Sequence, residues 1–185
     1  MVNFASSPEI ILVTGPARSG KSEWAESLAM QSQKSVVYVA TAQIPQGDRE
    51  WLERIQRHID RRPSHWQTYH APNDLVAVFR DCPPDCCLLI DSLGTWVANG
   101  LERDDAAWEQ EFNRFLAALV GAQQGVILVA EETGWGVVPA YPLGRKFRDR
   151  LGDLIRKVGA IAHRVYLVTG GYAVDLAQLG VRVDS

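Results

Sequence analysis

Five short apolar runs recur along this chain and set its predicted framework. They have the length and β-branched content of buried parallel strands, and they cover Ile10–Thr14, Val36–Thr41, Cys87–Asp91, Val126–Ala130 and Val165–Thr169. Helical periodicity in the longer segments between them is clearest over Glu23–Gln31, Arg49–Ile59, Ala106–Ala122 and Leu143–Ile161. This alternation predicts one α/β domain over residues 1–185, a mostly parallel sheet with helices on both faces.

The residues that directly follow the predicted strands are the first candidates for function. Ligands of open parallel sheets bind beyond the carboxyl ends of the strands, so these residues share one edge. They comprise the segment after the first strand, then Thr41-Ala42-Gln43, Asp91-Ser92, Glu131-Glu132-Thr133-Gly134 and Gly170-Gly171.

The segment after the first strand matches the P-loop pattern G-x-x-x-x-G-K-[ST]. It lies between a predicted strand and a predicted helix and consists of Gly15, Pro16, Ala17, Arg18, Ser19, Gly20, Lys21 and Ser22. Backbone N–H groups of such a loop cradle polyphosphate, and the helix N-terminus adds favourable dipole charge. We expect Lys21 to reach the β- and γ-phosphates and Ser22 to bind Mg²⁺, so the sequence predicts binding of a nucleoside triphosphate.

An acidic residue ends one of the other predicted strands, and two more follow the next one. Asp91 has the position of a Walker B carboxylate that holds Mg²⁺, although a helix-capping role is the alternative. Glu131 and Glu132 compete for that role; each could position water, accept a substrate proton or form a structural salt bridge.

Two basic segments could bind anions. His58 flanks an apolar helical stripe and lies near Arg61 and Arg62, which precede Pro63 and Ser64; the alternative is a solvated basic turn. Arg145 and Arg148 share a helix face and could meet a phosphate or pair with neighbouring aspartates.

Composition narrows the function classes. A net charge of -3 gives no bulk attraction to nucleic acid, and no apolar run approaches the length of a membrane span. The start of the chain lacks the features of a secretory signal, so we expect a cytoplasmic protein. Cys82, Cys86 and Cys87 lack metal-ligand spacing and are expected to be reduced and structural.

Taken together, these segments resemble the bifunctional adenosylcobinamide kinase/adenosylcobinamide-phosphate guanylyltransferase family of cobalamin biosynthesis. The P-loop is common to many kinases, so the specific signal lies in the other matching segments. These are Val37–Ala42, Arg54-Ile55-x-x-His58-x-x-x-Arg62-Pro63-x-x-Trp66-x-Thr68, Leu89–Leu93 with Trp96, Val97 and Asn99, and Glu132-x-Gly134-x-Gly136-x-Val138-Pro139 with Arg145, Phe147, Arg148 and Asp149.

The resemblance implies a RecA-like P-loop fold, a homotrimer, and two successive reactions on a corrinoid substrate. ATP or GTP phosphorylates the aminopropanol hydroxyl of adenosylcobinamide, and GTP then transfers GMP to that phosphate. The covalent GMP-histidine falls on His58, with Lys21 as the other catalytic residue. Mg²⁺ would be held by Ser22 and Asp91, and nucleotide contacts would map onto the P-loop, Asp91, Thr41, Ala42, Gln43, Arg61, Arg62, Pro63 and Ser64.

Two positions depart from the family pattern. Glu131 stands where the family usually has Asn, and His70 stands near a position where it usually has Glu. The alternatives are therefore an enzyme with one of the two half-reactions, or a nucleotide-dependent regulatory protein. Against the latter, the chain has no guanine-reading N-K-x-D motif.

Overall fold

A computed structural model describes residues 8–43, 56 and 60–183 of this chain. Seven strands within those residues form one sheet in the order β3-β2-β4-β5-β1-β6-β7. Their bounds are β1 (Ile10–Gly15), β2 (Val36–Ala40), β3 (Gln67–His70), β4 (Cys87–Asp91), β5 (Gly125–Glu131), β6 (Arg164–Thr169) and β7 (Tyr172–Asp175). All neighbouring strands are parallel except β6 and β7, so the prediction of a mostly parallel sheet is confirmed.

The two strands that the sequence did not predict lie at the two edges of the sheet. β3 has the polar sequence Gln-Thr-Tyr-His and is largely exposed, so it carries no apolar run. β7 returns antiparallel to β6 through Gly170 and Gly171, which adopt φ values of 58° and 83°. Positive φ at both central residues is the geometry of a tight hairpin, so this glycine pair serves as a turn at the edge of the sheet.

Helices within the described residues cover both faces of the sheet, as predicted. They are α1 (Lys21–Gln31), α2 (Val76–Asp81), α3 (Leu93–Asn99), α4 (Asp105–Val120), α5 (Pro142–Ile161) and α6 (Leu176–Leu179). Three of the four predicted helices agree with α1, α4 and α5 to within two residues at each end. The fourth, Arg49–Ile59, lies outside the described residues except for Gln56.

Alternation of side chains along the strands divides the core into two clusters. Helix α1 packs through Ala25, Leu28 and Ala29 against one set of strand residues, and we call this side the α1 face. Helices α2 to α5 pack against the opposite set, and we call this side the α5 face. Successive strand residues contribute to opposite clusters: Ile11 and Val13 belong to the α1 face and Leu12 to the α5 face.

Parallel pairing brings the candidate functional residues to one edge of the sheet. Gly15 at the end of β1 is in register with Glu131 at the end of β5. Ala40 at the end of β2 is in register with Asp91 on one side and with His70 on the other. The P-loop and the acidic strand ends therefore lie along one border, where ligands of such sheets bind.

Candidate active site

The P-loop takes a compact path between β1 and α1 that two glycines make possible. A Cβ atom on Gly15 would lie 2.3 Å from the carbonyl oxygen of Val168 and 2.9 Å from Ser19 Oγ, so any side chain there would collide with the end of β6. Gly20 adopts φ 93° immediately before α1, and no side chain caps that helix. The first N–H groups of α1 are thus available to an anion.

Lys21 and Ser19 bring polar groups into this loop. Lys21 is 8% exposed, and its Nζ donates a hydrogen bond to the carbonyl oxygen of Pro16 at 3.3 Å, across the loop. Ser19 Oγ is buried and has no hydrogen-bond partner within the part of the chain that the structure describes. A buried hydroxyl of this kind is suited to a ligand oxygen, because an unsatisfied polar group is costly.

Asp91 ends β4 beside the start of α1. Burial raises the pKa of its carboxyl above the usual range, while hydrogen bonding from Ser22 and the charge of Lys21 oppose that rise. The following helix, α3, is capped by a different residue, since Ser92 Oγ accepts a hydrogen bond from Thr95 N at 3.3 Å. The capping role that the sequence left open thus belongs to Ser92, and the Asp91 carboxylate faces the P-loop.

Thr41 and Asn99 tie the ends of β2 and β4 together. Thr41 is fully buried; its hydroxyl donates to the Ser92 carbonyl at 2.8 Å and accepts from the Ser92 N–H at 2.9 Å. Asn99 Nδ2 donates to the carbonyl oxygens of Thr41 and Pro72 at 2.8 and 2.7 Å. The Thr41 side chain therefore fixes the backbone at this edge.

The other residues of the predicted nucleotide set are half-buried or exposed: Ala42 and Gln43 follow β2, whereas Pro63 and Ser64 precede β3. Gln43 donates a hydrogen bond to Asn73 Oδ1 at 3.4 Å, and Ala42 beside it is half-buried. Pro63 is half-buried and its carbonyl accepts from Trp66 N at 3.0 Å, whereas Ser64 is exposed.

The two arginines of the basic segment contact the P-loop helix and β2. Arg61 binds the carboxylate of Glu26 through two hydrogen bonds of 2.8 Å and also contacts Glu23. The guanidinium of Arg62 lies 3.6 Å above the ring of Tyr38. His58, the predicted covalent residue, lies outside the described residues.

Tyr38 and Glu26 are site residues that sequence reasoning missed. Tyr38 is a buried hydroxyl-bearing residue within an aliphatic strand, and burial together with the nearby Asp91 charge raises its pKa. Glu26 is 6% exposed although α1 lies at the protein surface. A tyrosine that interrupts an aliphatic strand and a glutamate on the inner side of a helix are signals that could have identified them.

The glutamates at the end of β5 and directly after it accept hydrogen bonds from β1 and α3. Glu132 Oε1 accepts from the Thr14 hydroxyl at 3.0 Å, and its N–H donates to the carbonyl oxygen of Gly15 at 2.9 Å. Glu131 Oε2 accepts from the N–H of Gly94 at 3.1 Å. Glu132 is thus held at the base of the P-loop, and Glu131 at the first turn of α3.

The second basic segment binds groups of the protein itself. Arg145 Nη1 donates to the carbonyl oxygens of Pro139 and Ala140 at 3.0 and 2.7 Å, and Arg148 pairs with Asp149 at 3.2 Å. Of the two interpretations that the sequence allowed, pairing with an aspartate is the one seen for Arg148. The contacts of Arg145 hold the loop before α5 in place.

Comparisons with known proteins give the chain a family context. A family model described as cobinamide kinase / cobinamide phosphate guanyltransferase matches residues 11–176. The bifunctional adenosylcobalamin biosynthesis protein CobP of Pseudomonas aeruginosa is 40% identical over 167 residues, which are 89% of this chain and 95% of that protein. The protein CobU of the same description from Salmonella typhimurium is 37% identical over 182 residues, covering 90% of this chain and 99% of that protein.

Solved structures support the fold at lower sequence similarity. The flagellar accessory protein FlaH of Methanocaldococcus jannaschii superimposes with a TM-score of 0.51 at 14% identity, covering 96% of this chain and 84% of FlaH. The P-loop NTPase fold expected from the sequence is confirmed. Across the described residues, every helix is too short or too polar to cross a membrane.

Proposed function

This chain belongs to the cobinamide kinase / cobinamide phosphate guanyltransferase family, and from that premise we propose that it catalyses both reactions of that name. The first phosphorylates the aminopropanol hydroxyl of adenosylcobinamide with ATP or GTP. The second transfers GMP from GTP to the new phosphate and releases pyrophosphate. The observation that carries this proposal is the juxtaposition of the P-loop, Lys21 and the Asp91 carboxylate at one sheet edge.

The phosphoryl-transfer half uses positioning and charge neutralisation. The free N–H groups at the start of α1 and the Lys21 ammonium are suited to the β- and γ-phosphates, as in other P-loop enzymes. The buried Ser19 hydroxyl supplies one further contact to a phosphate oxygen. Because the transferred group carries its charge on peripheral oxygens, these contacts stabilise the transition state without any covalent role for the protein.

The residues at the start of α1 fit a bound Mg²⁺. Mg²⁺ prefers one or two protein oxygens together with phosphate oxygens and water, and Ser22 and Asp91 offer one hydroxyl and one carboxylate close together. When bound there, the ion would neutralise charge on the nucleotide phosphates. The raised pKa of Asp91 supports this assignment, since a buried carboxylate gains most from a cation partner.

The guanylyl-transfer half rests on His58. A neutral imidazole nitrogen attacks the α-phosphorus of GTP, and the bond to the β-phosphate oxygen breaks to release pyrophosphate. A phosphate oxygen of adenosylcobinamide phosphate then attacks the same phosphorus, and the imidazole leaves as adenosylcobinamide-GDP forms. The arginines that follow His58 support the proposal, because Arg62 lies on the P-loop side of the sheet.

We further propose a cytoplasmic homotrimer. Exposed apolar side chains support an interface between copies: they occur in the loop before α5 and in the C-terminal segment, at Trp135, Val137, Tyr141, Leu179 and Val181. Large apolar side chains that a single copy leaves exposed are candidates for burial between copies.

A protein with one half-reaction remains the second candidate, and Glu131 is the observation that favours it. Its carboxylate replaces the usual Asn beside the phosphate-binding edge and lies at the first turn of α3. An added negative charge there disfavours the approach of phosphate groups by Coulomb repulsion.

Product analysis separates these possibilities. The protein is incubated with adenosylcobinamide, Mg²⁺ and either ATP or GTP, and the corrinoids are resolved by mass spectrometry. Both half-reactions predict adenosylcobinamide phosphate with either nucleotide, and adenosylcobinamide-GDP with GTP alone. Accumulation of the phosphate with GTP would identify a kinase, whereas an unchanged corrinoid would contradict the proposal. His58→Ala should stop the pathway at the phosphate, and Lys21→Ala should stop it at the first step.

A further inference from the structure

Arg61 directs its guanidinium at the P-loop helix. Its Nε and Nη2 donate to the two oxygens of Glu26 at 2.8 Å each, and its Nη1 contacts Glu23. Two parallel N–H···O bonds to one carboxylate form the strongest and most directional arrangement available to arginine. The resemblance to the family suggested that Arg61 contacts the nucleotide, but here its donors are directed to carboxylates.

Of the two carboxylates that Arg61 contacts, the buried Glu26 depends more on the contact than the exposed Glu23 does. The Glu26 side chain is 8% exposed, whereas that of Glu23 is 57% exposed. A buried carboxylate needs a hydrogen-bonded partner, while an exposed ion pair contributes little. Hydrogen bonding to Glu26 also raises the pKa of Arg61, which shows that the cation is favoured in this position.

The next residue, Arg62, packs against β2. Its guanidinium lies 3.6 Å above the Tyr38 ring. Tyr38 is in register with Leu89, two residues before Asp91, so Tyr38 and Asp91 lie diagonally on the α1 face. Arg61 is thus fixed to α1, and the adjacent Arg62 lies over β2 at a residue two positions before that strand ends.

We propose that Arg61 is a positioning residue, whose bidentate contact with Glu26 holds Arg62 on Tyr38, where Arg62 meets the phosphates of the bound nucleotide. This inference rests on the proposed function, since it requires the nucleotide at the P-loop. Arg61 acts through Glu26 and Arg62 and does not touch the nucleotide.

The direction in which Glu26→Gln changes the nucleotide affinity distinguishes this positioning role from direct contact of Arg61 with phosphate. If Arg61 bound phosphate, Glu26→Gln would remove a competing carboxylate and a nearby negative charge, and the nucleotide would bind more tightly. If Arg61 positions Arg62, the same substitution loosens the contact and the nucleotide binds less tightly. Glu26→Gln keeps the size of the side chain, so packing against the sheet is conserved.

The test measures the Kd of the α,β-methylene analogue of GTP with Mg²⁺ by calorimetry, because attack at the α-phosphorus of this analogue cannot release pyrophosphate. We expect Glu26→Gln and Arg61→Ala each to raise Kd about tenfold, the lower range for loss of a supporting contact. Arg61→Lys keeps the positive charge but cannot form the two parallel hydrogen bonds to Glu26. It should raise Kd by a smaller factor. In an Arg62→Ala background, Arg61→Ala should add no further loss.

Arg114→Ala is the matched control, because Arg114 forms a surface pair with Glu111 on α4. It should leave Kd unchanged, and the Tm of each variant is recorded alongside. Tighter or equal binding in Glu26→Gln would overturn the inference, as would losses that add in the double variant or a lower Tm with an unchanged Kd. Failure of the unmodified protein to bind the analogue would instead overturn the proposed function.

Discussion

The two faces of the sheet hold charged residues for different purposes. On the α1 face, Lys21 and Glu26 are buried; Lys21 lies near Asp91 at the P-loop edge, and Glu26 pairs with Arg61. On the α5 face, Arg150 is buried, and it donates to the carbonyl oxygens of Gly100 and Arg103 at 3.1 and 2.9 Å.

The surroundings of these charges explain the difference. Arg150 lies 5.0 Å from the ring of Trp108, which belongs to an aromatic group with Trp96 and Phe115. Its donors also reach Asp105 at 2.9 Å, so its hydrogen-bonding capacity is met by the protein. The α1 face instead leaves the buried Ser19 hydroxyl without a partner in the described part of the chain. A charge satisfied internally stabilises the fold, whereas groups left for a ligand serve function at some cost in stability.

Lys21→Ala should have the largest effect, and it should act on catalysis and leave the stability of the fold nearly unchanged. Losing the ammonium at the phosphates is expected to lower the rate of corrinoid phosphorylation about 10³-fold, the upper range for a single electrostatic contact. The Tm should change little, since Lys21 contributes one 3.3 Å hydrogen bond to the loop. Steady-state kinetics with adenosylcobinamide measure the rate, and thermal unfolding measures the Tm. Retained turnover in the variant would show that the P-loop is not the phosphoryl-donor site.

Arg150→Ala should lower the stability of the protein and leave nucleotide binding nearly unchanged, the opposite of Lys21→Ala. The substitution removes one of the two donors from each of the carbonyl oxygens of Gly100, Arg103 and Asp104, and it removes the contact with Trp108. Because hydrogen bonds from a charged group contribute about 1.5–3 kcal/mol each, we expect a loss of about 3 kcal/mol in the free energy of unfolding, or a Tm lower by about 6–12 °C. Urea denaturation and calorimetry of the nucleotide analogue provide the measurements. A large increase in the nucleotide Kd at unchanged Tm would contradict the division between the two faces.

Most strands of the sheet can be predicted from the sequence. Continuous apolar runs predict β1, β2, β4, β5 and β6, because strands buried on both faces of a parallel sheet need apolar residues throughout. The edge strand β3 escapes prediction, since its side chains are mostly exposed and need not be apolar.

The partners of the charges cannot be predicted in the same way. Arg61 and Glu26 are 35 residues apart, and nothing local in either segment indicates their pairing. Whether Asp91 or Ser92 caps α3 likewise depends on which oxygen reaches Thr95 N, a matter of backbone geometry. The P-loop can be predicted from the sequence because it depends on local backbone conformation. Glycines at positions 15 and 20 indicate that conformation within one short segment.

Asp91→Asn should weaken binding and leave the free protein as stable or more so. We expect Mg²⁺-dependent nucleotide affinity to fall at least about tenfold. Because burial raises the pKa of Asp91, its ionised form is disfavoured in the folded state, and wild-type stability falls as pH rises from the ordinary carboxyl pKa through the raised one.

The variant lacks this penalty, so its advantage in Tm without Mg²⁺ should be present at pH 7 and should shrink toward about pH 4. Thermal scans across that range test the sign. An Asn variant clearly less stable than wild type at pH 7 would contradict the idea that Asp91 is held for a cation.

The smallest expected effect is that of a thiol reagent on the folded protein, because the cysteines on both faces of the sheet are buried. All three are buried free thiols; Cys86 lies on the α5 face and Cys87 on the α1 face. Burial raises the pKa of Cys86 to about 12 and that of Cys87 to about 11. At pH 8 we expect no reaction with a thiol reagent in the folded protein and reaction of three thiols in urea. Rapid labelling of Cys87 without urea would show that the α1 face opens.

The central claim is that GTP serves two reactions here, at its γ-phosphate through the P-loop and at its α-phosphate through His58. The most direct measurement incubates the protein and Mg²⁺ with GTP labelled at the α-phosphate and then tests the protein for covalent label. A phosphohistidine-type bond predicts label that is lost in acid and stable in base, and that is absent from His58→Ala. Unlabelled wild-type protein, or equal label in His58→Ala, would contradict the claim.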